Sequence, residues 1–203
     1  MQPYLDEWPQ AYTLLEETLA LRRALGDTRG MGIALSNLGG LAVLLKDYAR
    51  AVAIEEESLT LFAALGDQRA RVGSLSNLAE ASRNLGDSAR ARALYAEMIE
   101  LLEALGDSSA LTIGLEGIAA LDVANARAEY VQRAVRLLGA SEVLREASGT
   151  SLSPRDQAEY KRVLADARDQ LGDEVFAQAW TVGREMTVQD AVRDAATPPH
   201  VAS

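Results

Sequence analysis

Few residues of this chain have the types and spacings that chemistry requires. The only histidine is His200, near the end of the sequence, and there is no cysteine. The lack of cysteine excludes thiol nucleophiles, thiolate zinc sites and disulfides. Two groups of carboxylates, Glu16 with Glu17 and the run Glu55 to Glu57, have the right type for acid–base work or for a hard cation. On amphipathic helices such groups normally form the solvated face, and we interpret them in that way.

The tripeptide Leu-Gly-Asp is the other candidate for a chemical motif. It occurs at 25–27, 65–67 and 105–107. A phosphate-binding loop would continue with Gly-Lys-Ser/Thr, which does not follow, and single aspartates forty residues apart do not make a metal site. The tripeptide instead has the form of helix punctuation, in which glycine is the left-handed C-cap and aspartate caps the next helix. We therefore expect no catalytic, cofactor or metal residues, and no enzyme activity.

These tripeptides mark a repeat with a period of forty residues. Other positions follow the same period, including Ala11, Ala51 and Ala91; Leu21, Leu61 and Leu101; and Leu35, Leu75 and Leu115. Within each unit the apolar residues have helical spacing, as in Ala51, Ile54, Ser58 and Leu61. A second apolar stretch from Gly32 to Leu45 precedes it. The pattern predicts an all-α protein of tandem antiparallel helical hairpins.

The period predicts the domain organisation. Residues 1–148 would hold the repeats, as a half repeat at 10–27, full units at 28–67 and 68–107, and an irregular unit at 108–148. In that last unit the alanine column is expected to move three residues to Ala134, because of an insertion around 122–130. Residues 149–195 would form a helical cap whose helices begin at Pro154, near Asp173 and after Thr187, with Ser153 as an N-cap and Asp190 as a capping-box partner. Residues 196–203 are expected to be a disordered tail.

The repeats resemble tetratricopeptide repeats of the longer, forty-residue type. The segments that carry the resemblance are ALSNLGGLAVLLKDYARAVAIEEESLTLFAALGD and SLSNLAEASRNLGDSARARALYAEMIELLEALGD. Residues 133–192 also resemble the C-terminal end of the repeat region in bacterial NB-ARC/LuxR-type ATPase regulators and related cyclase-linked regulators. The resemblance implies a right-handed superhelix, or α-solenoid, that senses or holds a ligand or protein. ATP hydrolysis and DNA binding are not implied, because the sequence has no phosphate-binding loop and stops near where a LuxR-type domain would begin.

Charge and hydropathy exclude several classes of partner. The chain has 20 Lys and Arg against 30 Asp and Glu, a formal net charge of −10. Nucleic acid and anionic membrane surfaces are therefore not expected partners. The N-terminus has no signal-peptide pattern, and no apolar run has the length of a bilayer span. We expect a cytoplasmic protein.

The first helices of such repeats line a groove, and their polar residues are the expected contacts to a bound segment. The candidates are Ser36, Asn37, Ser76, Asn77, Glu80, Arg83 and Asn84. An asparagine side chain offers both a donor and an acceptor to a peptide backbone. The alternative is that Asn37 and Asn77 bond to neighbouring helices and maintain the stack. The third unit has Gly117 at this position.

The helix at about 10–25 has the pattern of a second repeat helix without a full first-helix mate. A repeat cannot bury its apolar face alone. Three arrangements would cover it: Tyr4, Leu5 and Trp8 fold over it, a second copy packs against it, or further repeats precede it. The predicted self-association surface consists of Tyr4, Leu5, Trp8, Leu14 and Leu15.

The sequence thus favours a non-catalytic protein–protein interaction or scaffold module, the sensing part of a bacterial signalling or transcription regulator. A module that binds a small-molecule inducer is the alternative, and part of an ATP-dependent enzyme is a third. No cofactor is expected.

Overall fold

The computed structural model describes residues 8–197, and of Trp8 and Pro9 it describes only the backbone. The described chain is helical throughout, without a strand. Its helices are α1 Trp8–Ala24, α2 Thr28–Leu44, α3 Tyr48–Leu65, α4 Gln68–Asn84, α5 Ser88–Leu105, α6 Leu111–Asn125, α7 Ala128–Ser148, α8 Pro154–Leu171, α9 Asp173–Glu185 and α10 Val188–Ala196. The predicted all-α fold of helical hairpins is confirmed. No described helix is long and apolar enough to cross a bilayer.

The turns are built from the residues that the sequence marks as punctuation. Gly26, Gly66 and Gly106 all have left-handed backbone, with φ of 66°, 65° and 68°. Asp27 accepts a hydrogen bond from the Gly30 amide, and Asp67 accepts one from the Ala70 amide, so each caps the helix that follows. The glycine interpretation is confirmed at all three tripeptides, and the aspartate cap at the first two; α6, after the third, has Ala110 as its N-cap and no side-chain cap. The caps hold the pKa of both aspartates below the ordinary value, chiefly through these backbone bonds.

The described chain separates into two compact units, one up to Leu94 and the other from Tyr95. In the first unit α1 packs on α2, and α2 and α3 form a hairpin that α4 continues. Its core includes Leu19, Leu35 and Leu38, against which Ile54 and Leu61 pack. A second cluster joins Ala42, Val43, Ala51 and Ala81. The helices α2 and α4 lie side by side, so their outer faces form one surface.

In the second unit α7 is the central helix. It packs against α6, α8, α9 and α10. Val131, Val135 and Leu138 are fully or almost fully buried, forty residues after the buried Ala91, Tyr95 and Met98. The predicted three-residue slip is therefore wrong: α7 begins forty residues after α5, and valine replaces alanine at that position. Ala134 is buried too because several helices surround α7, and this made the periodicity look displaced.

The C-terminal helices begin where the sequence predicts them. Ser153 caps α8, whose first residue is Pro154. Thr187 and Asp190 form a complete capping box at the start of α10. These bonds lower the pKa of Asp190. Trp180 is half-buried and stacks on the buried Phe176, with 6.0 Å between ring centroids. Of the predicted tail, Ala196 is still helical, and residues 198–203, with His200, lie outside the described part of the chain.

Candidate binding groove

The predicted groove residues lie on the adjacent helices α2 and α4 of the first unit. Asn37 and Asn84 are exposed, and the other five, Ser36, Ser76, Asn77, Glu80 and Arg83, are half-buried. The Asn84 side chain donates to the Glu80 carbonyl at 2.8 Å, one turn earlier on its own helix. The structure therefore brings the seven residues onto neighbouring helices, with Asn37 the more accessible of the two repeat-equivalent asparagines.

Asn77 has the contacts that the stack-maintaining alternative describes. Its Nδ2 donates to Glu55 Oε1 at 2.6 Å and to the Ser36 carbonyl at 3.3 Å, joining α4 to α3 and α2. A carbonyl can only accept, so these bonds fix the amide nitrogen inward. The amide oxygen is the polar atom of Asn77 that remains for a partner in the groove.

Glu55 is the main residue whose burial was not predicted from the sequence. We interpreted Glu55 to Glu57 as a solvated face, and for Glu56 and Glu57 this holds, because both are exposed and pair with Arg90 and Arg23. Glu55, in contrast, has no exposed surface. The repeat itself indicates that this position is buried. The equivalent residue forty positions later is the buried Tyr95, and the equivalent residue forty positions earlier is Leu15.

The second unit has different residues at the positions of Glu55 and Asn77. Tyr95 and Gly117 occupy the equivalent positions, and a Cβ at Gly117 would collide with the Tyr95 ring. Glycine is therefore present at 117 because an aromatic ring fills the space of the asparagine side chain. The asparagine position of the groove does not continue into the second unit.

The predicted self-association surface is only partly described. Tyr4 and Leu5 lie outside the described residues, as does the side chain of Trp8. Leu14 is exposed, whereas Leu15 packs against the core around Leu19 and Leu35. Leu21 on α1 and Leu25 directly after its end are as exposed as Leu14 and extend its stripe, at 60% and 68% against 62%. The predicted surface did not include these two leucines, although they follow Leu14 at helical spacing.

A crevice of about 300 Å³ lies between α1 and α3, with α2 beneath it. Leu19, Leu35, Leu38 and Ile54 are among its apolar lining residues. Two ion pairs span the helices, Arg50 with Glu16 at 3.0 Å and Arg23 with Glu57 at 2.8 Å. The Arg50 guanidinium also lies over the ring of Tyr12 at 4.3 Å. The crevice is therefore apolar inside and electrically balanced where the ion pairs cross it.

In the sequence the arginines of α7 interleave with glutamates, a pattern that predicts an ion-paired solvated face. In the structure these arginines are mostly internal. Arg133 is buried and makes a two-pronged pair with Asp122 at 2.6 and 2.8 Å. Arg136 pairs with Asp194 on α10. Arg145 is buried between Glu116 and Glu142, with its guanidinium 4.4 Å from the Tyr160 ring centroid. That prediction is wrong for Arg133 and Arg145, because α8 to α10 cover the face of α7 that would otherwise meet solvent.

The described residues contain no group of three or more His, Cys, Asp or Glu side chains arranged to hold a metal ion.

Burial raises the pKa of the Tyr160 phenol, whose hydroxyl donates to Glu142 at 3.1 Å. Tyr160 and Arg145 therefore belong to a closed network of α6, α7 and α8, which connects these helices.

Residues 71–109 match the family model of the tetratricopeptide repeat. The matched stretch contains most of α4 and all of α5. No curated protein matches the chain. The match, with the helical hairpins on either side of it, supports a tetratricopeptide repeat protein, a class that generally mediates protein–protein interaction or scaffolding.

Proposed function

We propose that this protein is a non-catalytic interaction module that binds an extended peptide segment of a protein partner across α2 and α4. The observation that carries the proposal is the shared outer face of these helices, where exposed Asn37 stands near half-buried Ser36, Ser76 and Asn77. Asn37 offers a donor and an acceptor, and Asn77 offers an acceptor alone, because its nitrogen is bonded inward. The surface suits a backbone more than a particular side chain.

The groove is tested by selecting binders for the full chain from a random peptide library and measuring their affinity by calorimetry. The double variant Asn37→Ala/Ser76→Ala is expected to weaken selected peptides at least tenfold, since buried polar contacts to a ligand are each worth about 1 kcal/mol. Glu17→Ala, an exposed change on α1, is the matched control and is expected to have no effect. Peptides that bind both variants equally would place the binding surface elsewhere.

The finer role is that of the sensing part of a bacterial signalling or transcription regulator in the cytoplasm. Its support is the resemblance of residues 133–192 to the ends of such repeat regions.

The proposed protein partner at α1 is a second copy of this chain, which would form a homodimer. Its support is the exposure of Leu14, Leu21 and Leu25. Sedimentation of the full chain and of Leu14→Glu tests it, and a wild-type chain that stays monomeric at high concentration excludes it.

A small-molecule effector is the second candidate, and the crevice between α1 and α3 favours it. Its volume of about 300 Å³ is at the lower end of the range of small-ligand pockets. Because the ion pairs across it are balanced, we expect an uncharged, compact ligand. Thermal-shift screening of neutral metabolites should give stabilisation that Ala20→Phe, which fills the crevice, removes. Equal stabilisation of both proteins would exclude the crevice.

A further inference from the structure

A buried carboxyl group lies at the centre of the α2–α3–α4 stack. Glu55 projects from α3 and has no exposed surface. Its Oε1 accepts from Asn77 at 2.6 Å, and its Oε2 has no hydrogen-bond partner within the described part of the chain. An ionised carboxylate needs several donors or a cation when it is removed from water. The surroundings of Glu55 supply fewer donors than an ionised carboxylate needs, so they favour the protonated acid.

The neighbouring helices are shaped around this carboxyl group. A Cβ at Gly39 of α2 would overlap the Glu55 carboxyl, so this position requires glycine while the acid is present. Ser74 of α4 contributes a further hydrogen bond to Glu55 and also contacts Ser58 at 2.9 Å. Ser58 in turn donates to the Gly32 carbonyl at 2.9 Å. The acid is therefore one member of a polar cluster that spans three helices.

No cation is paired with Glu55 from either packed helix. The only charged residue of α2 is Arg29, whose guanidinium pairs with Asp67 at 2.7 Å. The charged residues of α4 are Arg69, Arg71, Glu80 and Arg83. The α4 groups that hydrogen-bond to Glu55 are instead the neutral Asn77 and Ser74. Burial outweighs these two bonds and raises the pKa of Glu55 to about 8.

The fold does not require an acid at this position. Leu15, Tyr95 and Val135 stand at the equivalent places of the other repeat helices. An apolar residue here would avoid the cost of burying a carboxyl group. The acid is thus a local departure from the repeat, and through Asn77 it touches the face on which we place the groove.

We propose that Glu55 is a proton switch: its carboxyl stays protonated while α2, α3 and α4 are packed, and loss of the proton opens this stack. In the unfolded chain the acid ionises near pH 4.5, so over the interval from there to about pH 8 the folded state binds one more proton. The contribution of Glu55 to stability is fully present below the lower value and falls as pH rises through the interval. The folding equilibrium constant then decreases about tenfold for each pH unit.

The switch is distinct from the acid-sensitive groups of the chain. Asp27, Asp67, Glu146 and Asp190 all have lowered pKa values, so the stability that they contribute is lost only under more acidic conditions. Between pH 5 and 8, a loss of protection of the α2 to α4 backbone amides against hydrogen exchange therefore reports on Glu55.

Two measurements on the full chain test the switch. The first is an NMR titration of the ¹³C-labelled glutamate carboxyls, in which one signal, absent in Glu55→Gln, should titrate near pH 8. The second is amide hydrogen exchange of α2 to α4 between pH 5.5 and 7.5, expressed as protection factors. We expect protection in the wild type to fall about a hundredfold over these two pH units, and to change less than threefold in Glu55→Gln.

Glu55→Tyr, which copies the residue at 95, provides a second non-titrating variant if Glu55→Gln folds poorly. The carboxyl titration is measured on the wild type, and either variant identifies the Glu55 signal by its absence. A Glu55 signal that titrates near pH 4.5, or a fall in protection that persists in both folded variants, would overturn the proposal.

Discussion

Replacing Arg133 with methionine is expected to lower the free energy of unfolding of the second unit by about 3–5 kcal/mol, the usual cost of leaving one member of a buried ion pair alone. Arg133 and Asp122 are 1% and 0% exposed. The guanidinium also donates to the carbonyls of Asp194 and Thr197 at the C-terminal end of α10. Methionine has a similar volume and no donor, so the buried Asp122 carboxylate would lose both hydrogen bonds from the guanidinium.

The loss is measured by chemical denaturation, with hydrogen exchange of the amides in α6, α7 and α10 as the probe. This probe reports opening of the second unit separately from that of the first. Arg193→Met is the control, because the pair of Arg193 with Asp190 is exposed and screened by solvent, so its loss should leave the unfolding free energy almost unchanged. The double change Arg133→Met/Asp122→Leu should recover much of the loss, since both members of the buried pair are then replaced by apolar side chains. A loss below about 1 kcal/mol in Arg133→Met would show that the pair is dispensable.

Replacing Gly183 with alanine is expected to cost about 3 kcal/mol, at the upper end of the range for overpacking. A Cβ at Gly183 on α9 would overlap the backbone of Arg136 on α7. At the same crossing, a Cβ at Gly139 would lie 2.8 Å from the Trp180 carbonyl oxygen. The colliding atoms belong to the backbone, so relief requires a whole helix to move.

Gly73→Ala is the matched control for this change. Gly73 lies inside α4 and is exposed, and the nearest atom to its added Cβ is Ser36 Oγ at 3.6 Å. There alanine should raise the unfolding free energy by up to about 1 kcal/mol through helix propensity. Thermal and urea unfolding should show a lower unfolding free energy for Gly183→Ala and a higher one for Gly73→Ala. Equal effects of the two substitutions would mean that α7 and α9 do not cross closely.

The parts of the fold that depend on local rules were predictable from the sequence. The left-handed glycines, the aspartate caps and the capping box at Thr187 each involve residues within a few positions of one another, and all are present. The groove residues could be named because a period of forty places them on first helices. Whether Asn77 faces a partner or the stack could not be predicted, because its hydrogen-bond partners Glu55 and Ser36 are 22 and 41 residues away.

By itself the sequence determined the hairpin repeat, the helix ends and the faces that turn toward the core, since spacing and capping encode these directly. Only the tertiary structure decided which charges are buried. Glu55 resembles its exposed neighbours Glu56 and Glu57 in the sequence, and Arg133 resembles a surface arginine. Their burial follows from the packing of α4 on α3 and of α10 on α7. Burial is set by what covers a side chain, and here the covering helices are far away in the sequence.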